Sequence, residues 1–463
     1  MLQQKVRRAL AMFGAIALLS AEVAAETRVS GLFSDHMVVQ RDQRIPLWGR
    51  SAPGAGLELD FAGQSRRVRA DESGRWRTDF DAIPAGGPHT ITIKGPDRKI
   101  VIRDVLAGEV WIASGQSNME WPLNKTTDRE TLQGGDALIR LFRVAPEFSS
   151  EPAEELAAKW QPFTPASAAT FSAVALHFGA ALRRELGVPV GLIQSAKGGT
   201  RAELWMSPDA MRASGAHERP WRNKERSPGD LFNGMIHPLI PFGIRGAIWY
   251  QGESNSHTAE FYQGLLSALI TDWRAKWAQG DFPFGVVQLP NFSPPKRETS
   301  DSWAIVREAQ RQVAETLPHV GLAVTIDVGD PDNIHPGIKQ PVGDRLARWA
   351  LARVYGESLP HTGPRVTAVR TRDAIVELAF DSTGGAPVLH GEEPYGFELA
   401  GADGVFHPAD ARLVGATLRL RSRDVGNPEQ VRYAWTDNPR ASLFDAEGLP
   451  ATPFSLRLET GSP

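Results

Sequence analysis

The sequence predicts an α/β protein built on a parallel sheet with β-rich regions at both ends, and three observations carry that prediction. In the centre, short apolar runs alternate with longer segments of helical period. At both ends, runs of alternating apolar and polar residues are separated by Gly, Pro and Asp turns. The residues able to do chemistry cluster just after the apolar runs of the centre. At 463 residues the chain is about three domains long by the usual relation of length to domain count. Hydrophobic residues at 41%, charged residues at 23% and a formal net charge of -3 are ordinary globular values. With no long basic tract, they give no sign of a nucleic-acid partner.

Residues 1–25 read as an address. Lys5, Arg7 and Arg8 precede an apolar run over 9–19, followed by Val23-Ala24-Ala25, the pattern of a secretory signal peptide with cleavage expected after Ala25. So short an apolar run does not span a bilayer, so the mature protein is expected to be secreted or periplasmic, without a membrane anchor. The chain has no cysteine, which excludes disulfides, thiolate metal sites and a cysteine nucleophile.

Residues 26–106 show alternating runs such as Leu57-Glu58-Leu59-Asp60-Phe61 and Thr90-Ile91-Thr92-Ile93-Lys94, which predict a small antiparallel β-domain. Over 107–360 the pattern changes. A helical segment at 171–186 precedes a strand at 190–193, and a strand at 246–250 precedes a helical segment at 261–277. Further strands are expected at 284–289 and 320–326. Within 261–277, Tyr262, Leu265, Leu266, Leu269, Ile270, Trp273 and Trp277 recur at three and four, one apolar stripe able to cover a sheet face. Alternation returns over 361–463, at 374–380 and 416–420, predicting a C-terminal β-rich region.

Gly115-Gln116-Ser117-Asn118-Met119 directly follows Val110-Trp111-Ile112-Ala113 and presents a serine at the tip of a buried strand. A serine there commonly only caps the next helix. As a nucleophile it needs a base and an oxyanion site. Asp332 and His335 stand three apart on a Pro-bounded loop after 320–326. His335 is suited to take the Ser117 proton, and Asp332 to orient the imidazole and stabilise the imidazolium. Met119 breaks the G-x-S-x-G elbow of α/β-hydrolases, and Glu120 breaks a Ser-x-x-Lys site. Asp327, Asp330 and Asp332 invite a calcium-loop reading, but the Gly and Glu of an EF-hand loop are absent. No metal or cofactor is implied.

Two more blocks, Gln194-Ser195-Ala196-Lys197-Gly198-Gly199-Thr200 and Trp249-Tyr250-Gln251-Gly252-Glu253-Ser254-Asn255, also follow predicted strands. Four blocks at strand ends converge on one edge of an open parallel sheet, where such folds bind ligands. With these four blocks in order, the chain resembles the SGNH-type carbohydrate O-acetylesterases, and most closely the bacterial sialate O-acetylesterase-like proteins, over roughly residues 100 to 355. The resemblance implies a flavodoxin-like, three-layer SGNH-hydrolase core and a Ser117, Asp332 and His335 triad. It also implies an oxyanion hole of the Ser117 N–H, a glycine N–H from Gly198-Gly199, for which Gly199 is taken, and the Gln251 amide, with Asn255 as substitute.

Substrate contacts are less determined. Trp121, Trp205 and Trp249 lie beside three of the blocks, and Trp205 is taken as the sugar contact, though most of the 13 tryptophans belong in the core. Arg201 reads either as a partner for a substrate carboxylate or as a surface cation, and Glu253 either as an orienting group or as a solvated charge. The reading is a secreted serine esterase that removes O-acetyl groups from carbohydrate, sialate or a plant polysaccharide such as xylan or xyloglucan. A non-catalytic carbohydrate-binding protein is the rival, and a protease ranks lower. The sequence carries no signal for an oligomeric state.

Overall fold

The computed structural model describes residues 26–132, 134–214, 226–293, 301–391 and 394–458; the expected signal segment, 1–25, lies outside the described residues. Six strands form the centre: β1 (Lys99–Gly115), β2 (Asp136–Arg143), β3 (Val190–Ala196), β4 (Gly246–Tyr250), β5 (Phe284–Val287) and β6 (Val320–Ala323). They lie in the order β2-β3-β1-β4-β5-β6, each parallel to its neighbours, with a short antiparallel strand at Gln161–Phe163 outside β2. Every residue of β3, β4 and β5 is buried, Gln194 and Ser195 of β3 included, as strands of a sheet covered on both faces are.

Four long helices supply the cover: α1 (Ala173–Leu186), α2 (Tyr262–Trp277), α3 (Ser302–Thr316) and α4 (Gln340–Arg353). Helices α1 and α4 pack together, as do α2 and α3. Trp111 of β1 meets Phe178 of α1 and Trp349 of α4 at 5.0 and 6.2 Å, while Trp249 of β4 meets Trp273 of α2 at 6.0 Å. Trp249 is level with Ser114, three residues beyond Trp111. Side chains alternate along a strand, so the two tryptophans and their helix pairs occupy opposite faces.

The expected N-terminal β-region is present but has no separate end. Residues 99–107 of β1 pair antiparallel with Gly86–Lys94, and the same strand then runs into the parallel sheet, level with β3 from Glu109 onward. The expected boundary at 106 therefore falls inside one continuous strand, and one apolar core extends from Leu32 to Leu351. The C-terminal region has a second core, which also takes in Val324 and Ile326 just after β6. Two four-stranded antiparallel sheets, beginning with Arg365–Arg372 and including Gln430–Tyr433, enclose it.

Candidate active site

Strand β1 ends at Gly115, whose φ of +135 and closeness to β4 both require glycine: a Cβ there would stand 2.1 Å from the Tyr250 carbonyl oxygen. The chain turns at once into the short helix Ser117–Glu120, which puts half-buried Ser117 at the carboxyl end of the sheet. The first N–H groups of a helix have no partner within it. The Ser117 N–H has none elsewhere among the described residues.

The second block lies against this turn. A Cβ on Gly198 would be 3.3 Å from the Ser117 Cβ, and the Gly198 N–H donates to Glu120 Oε2 at 2.7 Å. Gly199, exposed and left-handed at φ +70, keeps a N–H without a partner among the described residues. The geometry thus separates the two glycines: one fixes the turn, and the other has a donor to spare.

His335 lines the same 420 Å³ cleft as Ser117, with its ring stacked on Trp121 at 4.6 Å and 15°. Its backbone N–H donates to Asn333 Oδ1 at 3.0 Å. Burial first, then the ammonium groups of Lys339 and Lys125, hold the imidazole below its ordinary value. Asp332 is exposed, and its carboxylate makes no hydrogen bond or ion pair with His335. Its two rivals are engaged: Asp327 is held by both terminal nitrogens of Arg345 at 2.6 Å, and Asp330 Oδ1 accepts the Asp332 N–H at 3.0 Å. Asp332 is the loop aspartate whose carboxylate has no partner among the described residues.

Several expected contacts are corrected by burial. Gln251 is 0% exposed, and its amide nitrogen is within reach of Asn255 Oδ1 at 2.8 Å and of Gln116 Oε1 and the Thr200 carbonyl, both at 3.1 Å. Two N–H bonds facing three buried acceptors leave none for an oxyanion. Asn255, the expected substitute, is likewise consumed, donating to Glu203 Oε2 at 2.8 Å. Trp205 is 0% exposed and packs on Trp249, so it is a core residue and not a sugar contact; Trp121 is the tryptophan that lines the cleft. Arg201 bonds Thr258 Oγ1 and Glu203 Oε1, each at 2.8 Å, and is occupied within the protein. Glu253 is buried, not solvated; it accepts from Asn118 Nδ2 at 2.7 Å, and desolvation raises its carboxyl above the usual range.

Three residues of the site stand outside the set the sequence predicts. Gln116 Oε1 accepts from Gln251 and from the Ser254 N–H at 3.2 Å, which fixes the amide's orientation and leaves Gln116 Nε2 without a partner among the described residues. Asn118 and Lys339 are bonded to each other, both buried. The first two flank Ser117 within its own block, a signal available in the sequence. A lysine opening a helix gives none, because such lysines are normally solvated.

A serine at a strand end, an imidazole in the same cleft and unpaired N–H groups beside them are the parts of a carboxylic ester hydrolase. The chain belongs to the carbohydrate esterase family of sialic acid-specific acetylesterases, which it matches over residues 107–352. The human sialate O-acetylesterase is 31% identical over 385 residues, 73% of either chain. That of mouse is 26% identical, covering 96% of this chain and 98% of its own. Among solved structures, a carbohydrate acetylesterase from Xanthomonas citri is 40% identical, with a TM-score of 0.87 over 94% of this chain and 100% of the other. The protein is therefore a carbohydrate acetylesterase.

Proposed function

We propose that the protein removes O-acetyl groups by serine catalysis on an SGNH-type, flavodoxin-like core, and that its preferred substrate is an acetylated acidic sugar of the sialate type. Ser117 Oγ attacks the acetyl carbonyl as His335 takes its proton. The oxyanion is held by the Ser117 and Gly199 N–H groups, with Gln116 Nε2 as the side-chain donor in place of Gln251. The sugar oxygen leaves with the proton from His335, and acetyl-Ser117 remains. His335 then deprotonates a water that attacks the acyl group, and acetate departs as Ser117 regains its proton. Asp332 is the carboxylate assigned to orient and stabilise the imidazolium, since apo geometry at such sites is commonly loose.

The observation that carries this reading is the shared cleft of Ser117 and His335 beside the unpartnered Gly199 N–H. The sugar preference rests on Lys125 and Arg143, exposed cations lining that cleft, which suit a substrate carboxylate. The basic and apolar leader supports export.

The test measures acetate release from 9-O-acetyl sialic acid and acetylated xylan in parallel, by wild type, Ser117→Ala and Asp332→Asn. Wild type is expected to be faster on the sialate, and Ser117→Ala to release no acetate from either. Asp332→Asn is expected to retain KM while losing about 10⁴-fold in kcat, the size seen when an orienting carboxylate is removed. Activity in Ser117→Ala overturns the serine reading, and faster turnover of xylan overturns the acidic-sugar preference.

A further inference from the structure

The polar groups buried beneath the cleft converge on Asn118, the residue after the nucleophile. Its amide nitrogen donates to Glu253 Oε1 at 2.7 Å and to the Ile334 carbonyl at 2.9 Å; its oxygen accepts from Lys339 Nζ at 2.7 Å. Asn118 and Lys339 are both 0% exposed. An asparagine amide takes its orientation from its partners. Here a group that only donates faces the oxygen, and two groups that only accept face the nitrogen. A flipped amide would place oxygen against a carboxylate and a carbonyl, and N–H against an ammonium.

Each charge is costly to bury alone. The neutral amide joins Glu253 to Lys339, so that the carboxyl and the amine are linked across the site without direct contact. Lys339 is itself anchored: its backbone N–H and that of Gln340 donate to Asp128 Oδ2 at 2.7 and 2.6 Å. Its side chain therefore enters from the fixed N-cap of α4. The bond from Asn118 to Ile334 ties the residue after the serine to the residue before the histidine.

Resting on the serine reading above, we infer that Lys339 is a positioning residue of the reaction. By locking the Asn118 amide, it sets the spacing of Ser117 and His335. A displacement of about 1 Å between reacting groups costs about 10²-fold in rate. Substrate binding, in contrast, depends on the outer wall of the cleft, which Lys339 does not line.

The experiment measures kcat and KM with 4-nitrophenyl acetate, and the rate at which a phosphonate ester labels the serine. Lys339→Met is expected to lower kcat and the labelling rate together by about 10- to 100-fold, with KM within about twofold of wild type. Lys339→Gln, which keeps an N–H donor, is expected to restore most of the loss. Because Lys339 acts through Asn118, Asn118→Ala/Lys339→Met is expected to be no slower than Asn118→Ala by more than about twofold. Should Lys339→Met not fold, the nearly isosteric Asn118→Asp, which turns an acceptor toward Glu253 and Ile334, is expected to show the same split. Wild-type kcat in the folded variant, or full additivity in the double variant, overturns the proposal. Ser117→Ala run alongside separates the two ideas. Activity there overturns the serine reading and this one with it, whereas an inert Ser117→Ala beside a fully active Lys339→Met overturns only the role of Lys339.

Discussion

In the proposed mechanism His335 is the base, and its surroundings keep it neutral to lower pH. Desolvation acts first, and the ammonium groups of Lys339 and Lys125 push in the same direction, so the charged imidazolium is disfavoured and the pKa lies below 6.5. A base works in its neutral form, so the acid limb of kcat/KM is expected below pH 6.5. The two cations differ in reach. Lys339 is buried and its own pKa is pushed down to about 7, whereas Lys125 is exposed over the Trp121 ring at 5.4 Å and is open to salt. Lys125→Gln is expected to raise the limb by about 0.2–0.5 pH unit at low ionic strength, an effect that about 0.5 M salt largely removes. A rate profile that does not move assigns the shift to burial and Lys339 alone. The same group affects stability. Between 6.5 and the native pKa, the unfolded chain takes up a proton that the native imidazole refuses, so stability falls as pH drops through this window and levels off below it.

At the scale of elements, the site depends on how tightly β1 and β4 end together. Gly115→Ala would drive a methyl group to 2.1 Å from the Tyr250 carbonyl and hold alanine at a φ of +135. Overpacking and backbone strain each cost about 1–3 kcal/mol. The variant is therefore expected to melt lower and to lose most of its turnover, because Ser117 follows by two residues; unchanged melting and kcat would show that the strand ends can part freely. These elements were legible in the sequence where a strand is buried on both faces, as β3 and β4 are, since an unbroken apolar run bounded by Gly or a polar block has few other readings. Strand β2, whose Arg140 and Arg143 interrupt its apolar residues, was not, and neither was α4, which opens on Gln340-Pro341-Val342-Gly343. The ends of parallel strands face one edge, which is why the blocks of Ser117, His335 and Gly199 meet there. Gln251, Arg201 and Trp205 are turned inward: nearness in sequence to one of the blocks does not say whether a side chain turns to the cleft or to the core. Each of the three has its polar atoms bonded inward.

For the whole molecule, the question is why a C-terminal region with a second core, shared with Val324 and Ile326, accompanies this sheet. Arg307 of α3, 0% exposed, donates to the carbonyls of Pro290 at 3.3 Å, of Asp437 at 3.3 Å and of Thr436. Burial pushes this guanidinium down to about 9, with Asp437 acting in the opposite direction. The Asp437 carboxylate caps α3 by accepting the Trp303 N–H at 2.7 Å, and its carbonyl accepts the Phe292 N–H at 3.2 Å. Segment 291–293 continues to the loop 327–336, since Asn291 Oδ1 accepts the Gly329 N–H at 2.9 Å and the Ser293 N–H donates to the Pro331 carbonyl at 2.9 Å. The C-terminal region thus buttresses the loop that carries Asp332 and His335. Removing the guanidinium strips three carbonyls of a buried donor, and leaving one buried acceptor unsatisfied costs about 1–3 kcal/mol. Arg307→Ala is expected to lower the melting temperature and to reduce kcat more than KM changes, because the loop loses its backing while the Ser117 side of the cleft stays in place. Thermal unfolding and steady-state kinetics on the same preparation check this. A variant that melts lower with wild-type kcat would make the C-terminal region a stabilising appendage, and one unchanged in both would remove Arg307 from the account of how the two regions are joined.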